Sequence, residues 1–418
     1  MINSSIAAIL GLALAIVLII RKVSPVYSLI LGALVGGILG CGSVVQTVNN
    51  MFDGVKSITP AVLRIVAAGV LSGALIKSGA AASISETIVR RLGPRFVFLS
   101  LSLATMILCA SGVFVDVAVI TVAPVALALA SRLGLSRGKV LISLIGGGKC
   151  GNIMSPNPNT IVAAENYDAP LSSVMAAGII PALIGLFVTV YLIVPLLPSR
   201  DKVSASAVPG GDESGAELPS FAASIAGPLA TILILALRPL LGIVIDPMIA
   251  LPVGGLITLT ATRSLRITAE SLDYGLSKMA PVALLLVGTG PLAGVISASD
   301  MKDVVIGWLA GWNVSGRLMA PLSSILMSAA TASTTAGATI ASASFSDAIL
   351  GTGLAGIWGA ALTNAGATVL DHLPHGSFFH ATSGSVSMSF KDRLALIPFE
   401  SLVGLTLTLA TILCSCLF

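Results

Sequence analysis

The chain has 418 residues, 56% of them hydrophobic and 10% charged, whereas a water-soluble domain carries about 25% charged residues; a soluble fold would lack polar surface. Its 22 lysines and arginines barely exceed 18 acidic residues and are spread along the chain, which excludes the clustered basic footprint of a nucleic-acid binder. Five cysteines, Cys41, Cys109, Cys150, Cys414 and Cys416, sit in apolar stretches without metal-ligand spacing, so they read as small packing residues.

Apolar runs recur from Ile6 to the C-terminus, each near the roughly 20 helical residues needed to cross a hydrocarbon core of ~30 Å. The first follows Met1-Ile2-Asn3 with no basic n-region and has Arg21 and Lys22 at its far end, unlike a cleaved signal, so it is expected to remain as an anchor. Spanning helices are expected near 6–20, 27–42 and 60–78. An apolar stretch at 97–131, split by Ala110-Ser111-Gly112, comes next, then helices near 139–165 and 174–197. A polar connector from Pro198 to Pro219 holds Arg200-Asp201-Lys202 and a Ser/Gly/Glu-rich run. Beyond it the elements repeat near 223–241, 246–262, 280–297, 318–350, 354–383 and 394–416. The 43 glycines and 21 prolines suit helices that approach closely within a membrane.

The two halves match in order at a nearly fixed offset of about 217 residues, with Val70-Leu71-Ser72-Gly73 against Val287-Gly288-Thr289-Gly290, Ser111 against Ser328 and Pro181 against Pro398. The expected organisation is a first repeat at 1–197, a cytoplasmic linker at 198–220 and a second repeat at 221–418. If the split stretches are re-entrant hairpins, each copy has five crossings and the second is upside down. With the N-terminus outside, the great majority of the 22 cations, from Arg21 and Lys22 to Lys391 and Arg393, then fall on the cytoplasmic side. Lys56, Arg64, Arg238, Lys302 and Arg317 stay outside and Lys149 lies in the membrane, which fits the positive-inside rule. The fold class expected is an all-α polytopic membrane protein of two inverted repeats, each of about five transmembrane helices plus a re-entrant hairpin. Broken helices would lie at the midplane and both termini outside.

Helix-breaking sequence at membrane depth is tolerated only where it is buried or lines a cavity. Two equivalent segments break in this way: Gly146-Gly147-Gly148-Lys149-Cys150-Gly151-Asn152 through Ser155-Pro156-Asn157-Pro158-Asn159-Thr160, and Asn364-Ala365-Gly366 through Asp371-His372-Leu373-Pro374-His375-Gly376-Ser377. Half-helix N-termini there offer free N–H groups and positive dipole ends, suited to a carboxylate. The substrate-binding candidates are Ser111, Asn152, Ser155, Asn157, Asn159, Thr160, Ser333, Thr334, His375, Gly376 and Ser377. Taken singly, any hydroxyl among them is expected to bond back to its own helix carbonyl, and it is the clustering that points to a site.

Lys149 stands in a helix otherwise free of charge after its first turn, and an intramembrane ionisable group is a functional candidate by default. It either meets an anionic substrate or forms a structural ion pair with Asp116, Glu165 or Asp371. Asp116 is protonated, sodium-linked or paired. His372, His375 and His380 crowd beside Asp371, as a zinc chelate or as a proton relay. The equivalent segment of the first half has no histidine, and its Cys150 alone cannot close a metal site, so no metal and no other cofactor is expected. The coupling candidates are therefore Asp116, Lys149, Asp371 and His372.

In Gly147–Thr160 and Leu370–Thr382 the chain resembles the gluconate permease (GntP-type) family of the ion-transporter superfamily, and the hairpin-and-broken-helix layout extends the resemblance over nearly the whole chain. The resemblance implies a bacterial inner-membrane carrier, usually a homodimer, that takes up sugar acids or other small hydroxy-carboxylates with protons by sliding one domain along a fixed scaffold. Gluconate-type members carry Pro-His-Pro-Gly in the first break, where this chain has Ser155-Pro156-Asn157-Pro158-Asn159. The expected function is thus secondary active transport of a small organic anion, coupled to protons or else sodium. The rivals are a cation/proton antiporter or anion exporter on the same scaffold, and a membrane metalloenzyme built on the three histidines.

Overall fold

A computed structural model of the chain describes residues 4–199, 201, 203, 218–300, 315–374 and 376–418. Most of the linker and His375 lie outside the described residues. Every regular element among the described residues is helical. The first half runs α1 (Ser4–Ile20), α2 (Pro25–Cys41), α3 (Val44–Lys77), α4 (Ala80–Leu92), α5 (Val97–Ala110), α6 (Val115–Leu133), α7 (Arg137–Asn152), α8 (Pro158–Asn166), α9 (Leu171–Ala177), α10 (Ile179–Val188) and α11 (Val194–Leu196), with a π-helical turn between the last two. The second runs α12 (Phe221–Leu241), α13 (Pro247–Ala261), α14 (Thr268–Ser297), α15 (Gly316–Thr331), α16 (Thr334–Gly351), α17 (Gly356–Gly366), α18 (Ser377–Ser385), α19 (Phe390–Leu394) and α20 (Ile397–Leu417).

Local chemistry sets these boundaries. Pro25 opens α2, and Gly42 closes it in the left-handed region (φ 68°), where a residue without Cβ is unstrained. The Ser43, Ser136, Asp246 and Ser333 side chains cap α3, α7, α13 and α16 by accepting backbone N–H groups of the first turn. Among the described residues, five stretches, at Val44–Lys77, Val115–Leu133, Leu171–Leu196, Leu265–Ser297 and Phe390–Leu417, are long and apolar enough to cross a membrane, and α1, α2, α5, α12 and α13 are shorter apolar helices. Large apolar side chains such as Leu183, Phe187, Leu192, Leu409 and Leu413 are exposed on α10, the π turn and α20, as a hydrocarbon solvent allows.

Both apolar hairpin stretches split where expected, at 111–114 and at Ala332-Ser333, and both broken helices break where expected, at 153–157 and from 367 to 374. Two expectations fall short. The third helix begins at Val44 rather than near 60, and its counterpart at Thr268 rather than near 280. The polar N-terminal half of each is held in helix by the C-terminal half of the other, because α3 and α14 run antiparallel and touch backbone to backbone: a Cβ on Gly54 would lie 2.0 Å from the Gly290 carbonyl, and one on Gly73 would lie 2.0 Å from that of Ser271. The connector at 80–92 is a helix, α4, with one face buried.

The helices pack as two bodies, each drawn from both halves of the chain. One comprises α1–α3 with α12–α14; the other comprises α5–α11 with α15–α20. They meet where α14 lies against α16, α3 against α8, α1 against α15 and α12 against α9, while α4 touches both.

Candidate functional site

A cavity of about 630 Å³ lies between the two bodies. Body two supplies its wall with both hairpin tips, Phe114–Val117 and Thr331–Ala336, and both breaks, through Asn152, Asn159, Asp371, Ser377 and Phe378. Body one supplies Ser24–Val26 and a stretch of α14 from Lys278 to Leu285. Four helices, α6, α8, α16 and α18, thus begin at this cavity. The starts of α6, α8 and α18 carry no side-chain cap, so first-turn N–H groups and positive dipole ends are available to an anion.

Behind the wall lies a buried charge cluster. α7 is seated by its glycines against α5, where a Cβ on Gly147 would come within 2.0 Å of the Ser102 carbonyl and one on Gly151 within 2.1 Å of that of Met106. This close approach carries Lys149 into the interior with 1% of its side chain exposed. Its Nζ donates to the Thr368 carbonyl (2.6 Å) and to Asp371 Oδ1 (2.6 Å), and lies 3.1 Å from His372 Nδ1. Of the partners open to it, Lys149 therefore takes Asp371. Glu165 pairs instead with Arg64, whose guanidinium also holds Asp246.

Asp371 is the junction between cluster and cavity. It receives Lys149 on Oδ1 and the Thr334 hydroxyl, from the second hairpin tip, on Oδ2 (2.5 Å), while reaching the cavity wall itself. His372 Nδ1 is 3.0 Å from Asp371 Oδ1. Its Nε2 faces the Ile397 carbonyl (3.1 Å) and the Ser401 hydroxyl (3.2 Å). A carbonyl only accepts, which assigns a hydrogen to Nε2. Farther along, the fully buried Arg393 and Glu400 pair, with Glu400 Oε2 3.9 Å from His372 Nδ1.

The remaining candidates divide clearly. Asn152, Asn159, Ser333, Thr334 and Ser377 line the cavity with Asp116 and Asp371. Asp116 accepts the Val117 N–H in the first turn of α6 (2.9 Å). The Ser111 hydroxyl bonds back to the Ile107 carbonyl (2.7 Å). The Ser155 hydroxyl donates to the Asn152 carbonyl, and Asn157 Nδ2 donates to Asn152 Oδ1 (both 2.8 Å), so these two brace the first break from within. Thr160 Oγ1 accepts from Asn364 Nδ2 (3.0 Å), and Asn364 Oδ1 accepts from Asn159 Nδ2 (2.6 Å), tying the two broken helices together. Gly376 backs onto the hairpin tip, where a Cβ would meet the Ala332 carbonyl at 2.5 Å. His380 is on the surface, with Nε2 at the Pro374 carbonyl (2.9 Å), and among the described residues no group of three His, Cys, Asp or Glu could hold a metal. Sequence reasoning missed Lys278 and Glu400, and it placed Thr335 on the second hairpin tip and Asn364 in the second break without singling either out. Asn364 carried a signal, since it opens the second break.

A family profile described as GntP family permease matches residues 4–417. A protein of Haemophilus influenzae described as an uncharacterized transporter is 53% identical over 410 residues, covering 98% of this chain and 97% of its own. The high-affinity gluconate transporter of Escherichia coli K12 is 25% identical over 434 residues, covering 96% and 97%. The crystal structure of the YdaH transporter of Alcanivorax borkumensis has the same fold at a TM-score of 0.65 and 14% identity, covering 91% of this chain and 89% of that one.

Proposed function

Because the chain belongs to the GntP permease family, and is therefore a multi-pass membrane transporter and not an enzyme, we propose that it carries a small organic anion, a sugar acid or hydroxy-carboxylate, in symport with protons. The observation that carries this reading is the convergence of four helix N-termini on one cavity, a geometry that favours a carboxylate. The gluconate carrier among the relatives supports the same substrate class. The division into two bodies with the cavity between them supports an elevator movement, in which the body holding hairpins and breaks slides along the other. Two inverted repeats about the linker, a homodimer, a bacterial inner-membrane location and external termini complete the proposal.

His372 suits the coupling role. Its Nδ1 faces an obligate donor, Lys149 Nζ, and an obligate acceptor, Asp371 Oδ1. Either protonation state thus keeps a partner without rearrangement. Lys149 and Asp371 cancel in charge, so a proton gained at the imidazole balances an anion entering the cavity beside Asp371.

The test is counterflow of labelled gluconate, glycerate and lactate in proteoliposomes, with and without an inward proton gradient. Exchange of at least one anion, and its uphill accumulation only with the gradient, is expected. Exchange of none, or accumulation indifferent to the gradient, refutes the corresponding half of the proposal.

A further inference from the structure

Among the described residues, three titratable ones reach the cavity wall: Asp116, Asp371 and Lys278. Asp371 is neutralised by Lys149, which leaves Asp116 and Lys278 as the unbalanced charges. Lys278 is exposed at the cavity and has no carboxylate within 4.0 Å among the described residues. Its Nζ lies 5.4 Å from the centre of the Tyr274 ring, one turn earlier on α14. The neighbouring Lys77, on the same ring at 5.3 Å, is instead committed to Glu270 at 2.7 Å.

Resting on the organic-anion reading above, we infer that Lys278 is a substrate-capture residue that acts from one face of the membrane only. Its charge offsets Asp116, so that the wall presents no net repulsion and the four helix N-termini decide the sign of what enters. The residue stands on α14, in the body opposite the hairpins and breaks. When the substrate-holding body moves, Lys278 stays behind, and the outward-bound or inward-bound cavity loses it. Lys278 therefore acts on capture at the face where the cavity now opens. The charge bias of the chain identifies that face as cytoplasmic.

The test compares right-side-out and inside-out membrane vesicles, with gluconate, glycerate and lactate as probes. Lys278→Gln should raise KM about 10-fold on one face and change it less than about twofold on the other, because a rim charge acts on encounter rather than on the bound complex. Lys278→Arg should match wild type on both faces. Added salt should raise the wild-type KM on the affected face and leave that of Lys278→Gln nearly flat. An unchanged KM on both faces, or an equal rise on both, overturns the inference while leaving anion transport intact. A wild type that carries none of the three anions removes the organic-anion reading, and this inference with it.

Discussion

Replacing Lys149 by Met removes the cation that neutralises a carboxylate inside the bundle. Three contacts go at once, to the Thr368 carbonyl, Asp371 Oδ1 and His372 Nδ1. Asp371 keeps Thr334 and His372 as partners but no fixed counter-charge. Breaking a buried pair from one side costs about 3–5 kcal/mol. Replacing both members by apolar residues of similar volume is near neutral, less ~1 kcal/mol for each lost hydrogen bond, the one Thr334 donates to Asp371 and the one His372 accepts from Lys149. Lys149→Met and Asp371→Leu should therefore each lose about 3–5 kcal/mol, Lys149→Met/Asp371→Leu about 2 kcal/mol or less, and the double-mutant cycle should give a coupling of at least ~4 kcal/mol. Reversible unfolding of purified protein in mixed micelles, titrated with an anionic detergent, reads all three. A single variant within ~1 kcal/mol of wild type, or a double variant no more stable than the single, would show that Lys149 and Asp371 do not stabilise one another.

The two asparagines of the first break should behave differently. Asn159→Ala, on the cavity wall, should weaken substrate affinity roughly 10- to 150-fold, as loss of a bond to a charged group costs ~1.5–3 kcal/mol, while the buried Asn157→Ala should lower stability and leave affinity within about threefold. Equal affinity losses in counterflow assays would contradict this. Among the described residues, Arg64–Glu165 is the one ion pair that joins the two bodies, and Arg64 keeps Asp246 when Glu165 leaves. Glu165→Gln should therefore shift the balance between the two facings, read as altered accessibility of a cysteine placed at Thr335, with thermal stability changed by less than about 1 kcal/mol. His372→Gln should abolish gradient-driven accumulation yet retain counterflow; uphill uptake with wild-type proton dependence would make the histidine structural. Reporters fused at residue 206 and at the C-terminus should read cytoplasmic and external, and the reverse pattern at both would invert the proposed orientation.

The breaks were legible because Gly146-Gly147-Gly148 and Ser155-Pro156-Asn157-Pro158 interrupt helix in an apolar context, where exposed backbone has no solvent to satisfy it. The hairpin splits and the depth of Lys149 could be read for the same reason. The choice of Asp371 over Asp116 and Glu165 could not, because it depends on how α7 meets a segment more than 200 positions away. Asn157 and Asn159 look alike in sequence, yet one braces the break from within and the other lines the cavity. Lys278 was hidden by a helix boundary. With that helix starting near 280 the lysine is a loop cation, and only the extension of α14 back to Thr268, held by its glycine contacts with α3, brings it to the cavity.

The central claim is that the two breaks and two hairpin tips form one anion site. Cysteines placed at Ser377, at the start of α18, and at Thr335, on the second hairpin tip, test it most directly, with one at the lipid-exposed Leu413 as control. Their rates of modification by a charged thiol reagent would be measured with and without whichever anion passes the counterflow assay. The account predicts that the anion slows modification at both Ser377→Cys and Thr335→Cys and leaves Leu413→Cys unchanged. Unaltered rates at both cavity positions, with transport of that anion intact, would contradict it.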